Sequence, residues 1–524
     1  MVKKGIKKVL VILLVLILLV IIPTACNTIF ENQSKASGEA VSTSSLTVSA
    51  GGPVEIELFV NFPWWPLRDW SGSIPEEITK RTGVKFAITI AADDRKLPML
   101  IASDNLPELV FTDQELTRLA NDKMCYDWNS LIESYAPDFT IHKKISSLYT
   151  QTNGKFYTVL GNYSSQKELE ENERVLPNGP GLAVRKDIMK LLEYPPLETL
   201  NDFEKILETV KIRWPDMIPL VSEDVKTFGY LNAQFGQVGS AIEFYTTENG
   251  DVSYYIKQPG KLDFYKYVNK LYREGYLHAT NFSFSEGSSD ARKLAGDGKA
   301  FAIIGTVEMA DCLNADLAKM NKSFQMMMAS STLSENARYY NGSVGGAGIF
   351  ITQKNKHLKE SINFMKFMFS EEGQKLGLWG IEGKDWRMNP KGYPDFTYPT
   401  QDMNLLQEQG YYWWGKMSGS AVLEGLRNYS PALLATPVRK EIKKHSVYDQ
   451  ALGMLNPPAY SDEKIIQTKL KTMVANEQYK IFLAKSEEEV IKAYNDMLKK
   501  AADIGVQKYE FWANKQYQQV VGKF

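Results

Sequence analysis

Between Val54 and Ile90 the apolar residues change period twice. Val54, Ile56, Leu58 and Val60 alternate, Pro75 to Arg81 reads as a short helix closed by Gly83, and Val84, Phe86, Ile88 and Ile90 alternate again. Two alternating runs joined by a helix make a β-α-β unit, which admits few folds: strands joined this way lie parallel in one sheet, and the crossover helix covers a face. A second helix near Lys96 to Ala102 leads to Leu109, Val110 and Phe111, which extends the sheet. In such sheets ligands meet the loops beyond the carboxyl ends of the strands.

Further along, Leu182 to Val184 starts a second α/β region. After Asn201, Phe203, Ile206, Leu207 and Val210 recur at helical spacing and must face a core. Asn249-Gly250 marks a hairpin, Leu262 to Arg273 a helix ending near Gly275, and Phe301 to Ile304 a buried strand. Ile349 to Ile351 reads as another strand and Ile362, Met365 and Phe369 as a helix face. Val490, Tyr494, Met497, Leu498 and Ala501 share one side of a closing helix. At 524 residues the chain exceeds what one core organises, so two lobes are expected.

The N-terminus has a basic start, the apolar run Val9 to Ile22, then Pro23, Thr24, Ala25 and Cys26. This is the pattern of a secretory signal over residues 1–25, and its apolar run is shorter than a bilayer span. Ala25-Cys26 resembles the lipobox of bacterial lipoproteins, in which the Cys becomes the lipid-bearing N-terminus, although Pro23 stands where Leu is usual. Residues 26–52 are small, polar and Ser-rich, a flexible tether spanning about 25–30 Å. Loss of Lys3, Lys4, Lys7 and Lys8 with the leader takes the formal charge from −1 to −5, which does not suit nucleic acid. Outside the cytoplasm Cys125 and Cys312 could pair or remain free.

Several segments together resemble the extracellular solute-binding proteins of family 1, in the large lipoprotein branch that serves ABC sugar importers. They are Thr82-Gly83-Val84, Asn105-Leu106-Pro107-Glu108-Leu109, Val184-Arg185-Lys186-Asp187 with the helix start at Thr199, and Leu271 to Gly275. The strand after Gly298-Lys299, Gly380-Ile381-Glu382-Gly383-Lys384 and Ser486-Glu487-Glu488-Glu489 complete the likeness. Glu108 replaces the usual Asp, and Asp385-Trp386 the usual aromatic or His pair. The resemblance implies a periplasmic-binding-protein-like α/β fold of two lobes, each a mostly parallel sheet flanked by helices, with a helical C-terminal extension. The expected first lobe is 53–181 with 306–365, and the second 182–305 with 366–524. It further implies a monomer anchored through its N-terminal lipid at the outer face of the membrane, passing a sugar, preferably an oligosaccharide, to permease subunits. No cofactor is expected. Some relatives carry a calcium loop of alternating Asp and Asn; Pro195-Pro196 occupies the corresponding stretch, so no metal is expected there.

Sugar faces stack on aromatic rings while their hydroxyls need polar partners once water is expelled. The chain is 12% aromatic with 10 Trp. The candidate ligand-binding residues are Trp64, Trp65, Trp70, Trp128, Trp379, Trp386, Arg387, Trp413 and Trp414. For each, simple packing is the competing reading; Trp128 after Asp127 suits a helix staple. The segment Trp379 to Arg387 is the one expected to border the cleft most directly, because Gly380 and Gly383 permit tight turns beside two rings and a planar donor. A secreted glycosidase is the rival reading, since 62 acidic residues leave an acid/base pair open. Against it, His142, His278, His357 and His445 lack metal spacing and no Gly-x-Ser-x-Gly elbow is present. Gly345-Gly346-x-Gly348 runs into a strand instead of a helix, unlike a nucleotide loop.

Overall fold

A computed structural model describes residues 52–524, apart from 152, 226–227, 240–241, 285–288, 343 and 459. The expected leader, Cys26 and all of the expected tether but its last residue lie outside the described residues. Among the described residues there are fourteen strands: β1 Val54–Val60, β2 Val84–Ile90, β3 Leu109–Thr112, β4 Pro180–Arg185, β5 Ile218–Ser222, β6 Phe244–Thr246, β7 Val252–Tyr254, β8 Ala300–Thr306, β9 Met326–Met328, β10 Tyr339–Asn341, β11 Gly348–Ile351, β12 Trp386–Met388, β13 Pro394–Phe396 and β14 Ser446–Tyr448. No described helix is long and apolar enough to cross a membrane.

The first sheet has the order β11-β3-β1-β2. Its β1, β2 and β3 are parallel, with Leu58 beside both Ile88 and Leu109, and β11 is antiparallel to β3. Ile56, Leu58 and Val60 face one core, while Phe59, Val110 and Phe350 face another across the sheet. Covered on both sides, β3 and β11 are wholly buried, which is why they read as unbroken apolar runs.

The second sheet, β5-β8-β4-β9, departs from the mostly parallel expectation. Only β5 and β8 are parallel; β4 runs antiparallel to both β8 and β9. Its two faces are also covered, by Leu182, Val184 and Ile304 on one side and Ala183, Val221 and Ile303 on the other. A strand buried on both faces shows the same apolar run in either direction, so the sequence carries no sign of polarity there.

The helix Leu200–Arg213 buries the four expected residues and starts on a capping box between Thr199 and Asp202. The closing helices Asp462–Phe482, Glu487–Ile504 and Val506–Val520 pack on the second lobe, burying Val490, Tyr494, Met497 and Ala501. Asn269 fastens their first turn, donating to the carbonyls of Phe482 at 3.1 Å and Ala484 at 2.7 Å.

The chain changes core at different places from those expected. Helix Met309–Lys319 and Met326 of β9 pack on the second sheet, whereas Leu376 and the 403–417 stretch pack with the first. The crossings themselves lie in irregular stretches without periodic signal. Two of them run side by side, β10 pairing in parallel with β14. There a Cβ on Gly453 would lie 1.8 Å from the carbonyl oxygen of Gly342, so only glycine allows the approach. Cys125 is buried in the first lobe, Cys312 lies in the helix Met309–Lys319 of the second, and both are free thiols.

At the junction of these crossings sits Glu424, buried in the helix Ala421–Arg427. Its Oε1 accepts from Tyr412 Oη at 2.6 Å, Asn178 Nδ2 at 2.9 Å and Lys416 Nζ. Burial opposes its ionisation, yet the Lys416 ammonium and the hydrogen bonds from Lys416, Tyr412 and Asn162 hold it at about 2, below its ordinary 4.5. A carboxyl depressed in the fold adds stability that is present above its ordinary value and is lost as the pH falls towards about 2. Lys416→Met should therefore cost about 3–5 kcal/mol at neutral pH. Without the ammonium, burial is opposed only by hydrogen bonds, so the loss of stability at this site on acidification should shrink, which melting curves across the acid range will read.

Candidate functional site

The carboxyl ends of β1, β2 and β3 form one rim. Beyond β1, Asn61 is buried and donates through Nδ2 to Thr112 Oγ1 at 3.1 Å, leaving its Oδ1 without a partner. The next turn, closed by Trp65 N–H on Phe62 O at 2.9 Å, turns Trp64 outwards to 60% exposure and Trp65 inwards to 1%. Trp413 meets both, with ring centroids 6.3 Å from Trp64 and 5.7 Å from Trp65. Trp414 is buried between Trp65 at 5.9 Å and Trp70 at 4.6 Å. Five of the candidate rings, from stretches far apart in sequence, thus form one cluster.

The other candidates lie elsewhere. Trp128 is buried against Phe139, Phe156 and Phe369, and Asp127 caps its helix by accepting from the Asn129 and Ser130 N–H groups. The expectation for Trp379 to Arg387 is not met. Trp379 and Trp386 are buried edge to face, 4.9 Å apart at 82°, and Trp386 Nε1 donates to Gly380 O at 2.9 Å. Gly380 has φ 99, and Asp385 fixes the turn by accepting from Ile381 N–H at 2.8 Å and Tyr411 Oη at 2.9 Å. The glycine run is therefore a structural turn. Arg387 is exposed on the β12–β13 ribbon and borders neither chamber described next.

The larger chamber, about 720 Å³, brings Asp94, Asp113 and Gly345-Gly346 from the first lobe against Glu243 and Gln467. Glu115 is paired with Arg118 at 2.9 Å and Glu243 with Lys471 at 2.6 Å. Asp94 and Asp113 have no ion-pair partner among the described residues. Although Asp113 is solvent-exposed, desolvation by the chamber around it raises its carboxyl above the ordinary range, its own backbone N–H draws it back, and Asp94 adds to the rise. The smaller chamber, about 250 Å³, lies between Tyr412, Trp413 and Arg427 on one side and Thr306, Glu308 and Arg292 on the other. Trp413 Nε1 has no partner there. Asp94, Asp113, Arg292 and Arg427 were absent from the sequence candidates. For Asp94 and Asp113, position just beyond a strand end was the available signal; for Arg427 there was none, as it lies within a short buried helix.

Among the described residues no group of three or more His, Cys, Asp or Glu is disposed to hold a metal. The arrangement offers ring faces, unpaired carboxylate acceptors and buried N–H donors, which is recognition chemistry. A model of the bacterial extracellular solute-binding protein family matches residues 75–380, more than half of the chain. The chain belongs to that family. Solved structures share the fold of this solute-binding protein. The Streptococcus pneumoniae ABC-transporter substrate-binding protein FusA in complex with kestose is 16% identical, with 90% of this chain and 100% of that one covered and a TM-score of 0.68. For the alginate-binding protein AlgQ2 without calcium ion the values are 15%, 89%, 98% and 0.67. For the HMO-binding, ABC-transporter-associated solute-binding protein of Bifidobacterium longum infantis they are 14%, 90%, 99% and 0.62. No curated protein sequence matches the chain.

Because Trp386 fills the space between Trp379 and the Gly380 turn, Trp386→Ala should lower the stability of the ligand-free solute-binding protein by about 3–5 kcal/mol. Denaturant unfolding measures this directly, and an unchanged midpoint would refute the packing role.

Proposed function

We propose that the two chambers belong to one interlobe cleft, in which this solute-binding protein captures a carbohydrate, preferably an oligosaccharide, that it presents to the permease of an ABC importer. The observation that carries the reading is Trp64. A tryptophan exposed beyond the end of β1 and in ring contact with Trp413, which lines the smaller chamber, supplies a stacking face, while Asp94 and Asp113, beyond the ends of β2 and β3 of the same sheet, line the larger chamber and can accept from hydroxyls. That is what a pyranose or furanose chain requires. The kestose, alginate and HMO named for proteins of the same fold support the same class of solute.

We place the ligand between two lobes that move about the β10–β14 crossing and count the protein as non-catalytic. Anchoring belongs to the same reading: Cys26 carries lipid at the outer membrane face, and residues 26–52 tether the body close to the permease. Cys26→Ala should move the protein from the membrane fraction to the medium; retention would remove the anchor from the reading.

A thermal-shift screen against plant and microbial oligosaccharides tests the ligand class, because a solute bound only by the folded form adds about 2.7 kcal/mol at a hundredfold excess over Kd. A hit should bind in fixed stoichiometry without releasing new reducing ends; turnover would establish the glycosidase instead. Trp64→Ala should weaken that hit by about 1–3 kcal/mol while leaving the ligand-free melting temperature unchanged. A variant that melts early with affinity intact would count against a stacking role.

A further inference from the structure

The charges around the smaller chamber do not cancel. Arg292 Nε donates to Glu223 at 2.9 Å, and Arg439 pairs with Glu308. Arg427 is left over. It is 7% exposed, its Nη2 donates to the Thr400 carbonyl at 3.2 Å, and its Nε has no partner. Its guanidinium carbon lies 4.4 Å from the Tyr412 ring centroid and 5.9 Å from that of Phe396. No carboxylate forms an ion pair with it among the described residues. Glu424, one turn earlier on the same helix, is occupied by Lys416, Tyr412 and Asn178.

A buried guanidinium served only by neutral groups is costly to keep in a fold, and a hydrophobic residue of like size would pack against Tyr412 without that cost. Its place on a chamber wall gives the charge a use. Ring stacking fixes the plane of the guanidinium, and a planar fork held in this way suits a carboxylate or a sulfate. Trp413, on the same wall, adds a ring and an unpartnered N–H. The larger chamber is more acidic: Asp94 and Asp113, without ion-pair partners among the described residues, outnumber Lys464, which is held by Asn456 and Gln467, and they accept from hydroxyls.

We propose that the solute is an acidic glycan whose carboxylate or sulfate ester is held by Arg427, the ring of that unit resting against Trp413 and its neutral remainder extending towards Asp94 and Asp113. The inference rests on the carbohydrate reading above and adds the charge and the orientation of the ligand.

Calorimetric titration of the full mature chain with a short oligogalacturonate, its methyl ester, a sulfated galactan oligosaccharide and a neutral galactan oligosaccharide tests it. The methyl ester keeps the size of the acid and removes its charge. At least one anionic probe should bind about tenfold or more tightly than its neutral counterpart, a difference of about 1.4 kcal/mol. The preference should shrink as sodium chloride is raised. Which anion binds separates uronate from sulfate recognition. Arg427→Gln should reduce the affinity for the anionic probe to that for the neutral one, and Arg427→Lys should retain part of the difference. Should Arg427→Gln fail to fold, the ratio of charged to neutral affinity in the unaltered protein still decides. Equal or tighter binding of the neutral probes overturns the charge assignment while leaving the carbohydrate reading intact. Binding of none of the probes, together with a thermal-shift screen that yields no glycan, overturns both.

Discussion

Glu424 ties together three stretches that the chain order keeps far apart. Asn178 comes from the crossing into β4, Tyr412 and Lys416 from the turn after the first lobe's last helix, and the carboxylate itself from the helix Ala421–Arg427. A buried carboxylate has to be satisfied by charge and hydrogen bonds, so these groups have little freedom to reposition. The consequence reaches the cleft. Tyr412 held on Glu424 supplies the ring under Arg427, and its neighbour Trp413 is thereby set against Trp64 and Trp65. The wall of the smaller chamber is built outwards from one ionised oxygen.

The tryptophans illustrate what a sequence conveys about a site. Their number and their loop positions announced ring chemistry, and five of the nine candidate positions do meet in one cluster. What sequence does not reveal is which ring turns outwards. Trp64 and Trp65 are adjacent and share every local signal, yet one is 60% exposed and the other 1%. The distinction arises from the Phe62–Trp65 turn and from the arrival of Trp413 from some 350 positions away in the chain. Likewise the Gly380 to Lys384 run marked a tight turn correctly in kind. Its purpose, a turn locked by Asp385 and Tyr411 beneath two buried rings, depends on a hydroxyl 26 residues further on.

The fold was legible to the same depth. Helix faces such as Phe203 to Val210 and the parallel start β1–β2 are encoded by local period, and they form where the period requires. The direction of β4 and the points at which the chain changes lobe are not local properties. β4 is antiparallel because its amino end, Pro180, must meet the carboxyl end of β8 at Thr306 once the crossing from the first lobe delivers it there. Residues 309–328 likewise belong to the second lobe through contacts with its sheet, with no change of composition to announce it.

The two crossings that pair as β10 and β14 also limit how the lobes can move. Backbone hydrogen bonds over a three-residue register, together with the Gly342–Gly453 approach, resist sliding of one crossing past the other but permit bending on either side. Among the contacts that span the lobes, Lys319 with Asp402 at 2.8 Å is an ion pair screened by solvent, and Arg118 lies over the ring of the exposed Tyr460 at 5.4 Å. Contacts of that strength can tune the balance between open and closed forms but cannot fix it. On the proposed reading closure is set by a ligand that touches both walls, and Trp413, Arg427, Thr306 and Arg292 around the smaller chamber would supply its contacts. A partner that bound one wall alone, however tightly, would shift nothing.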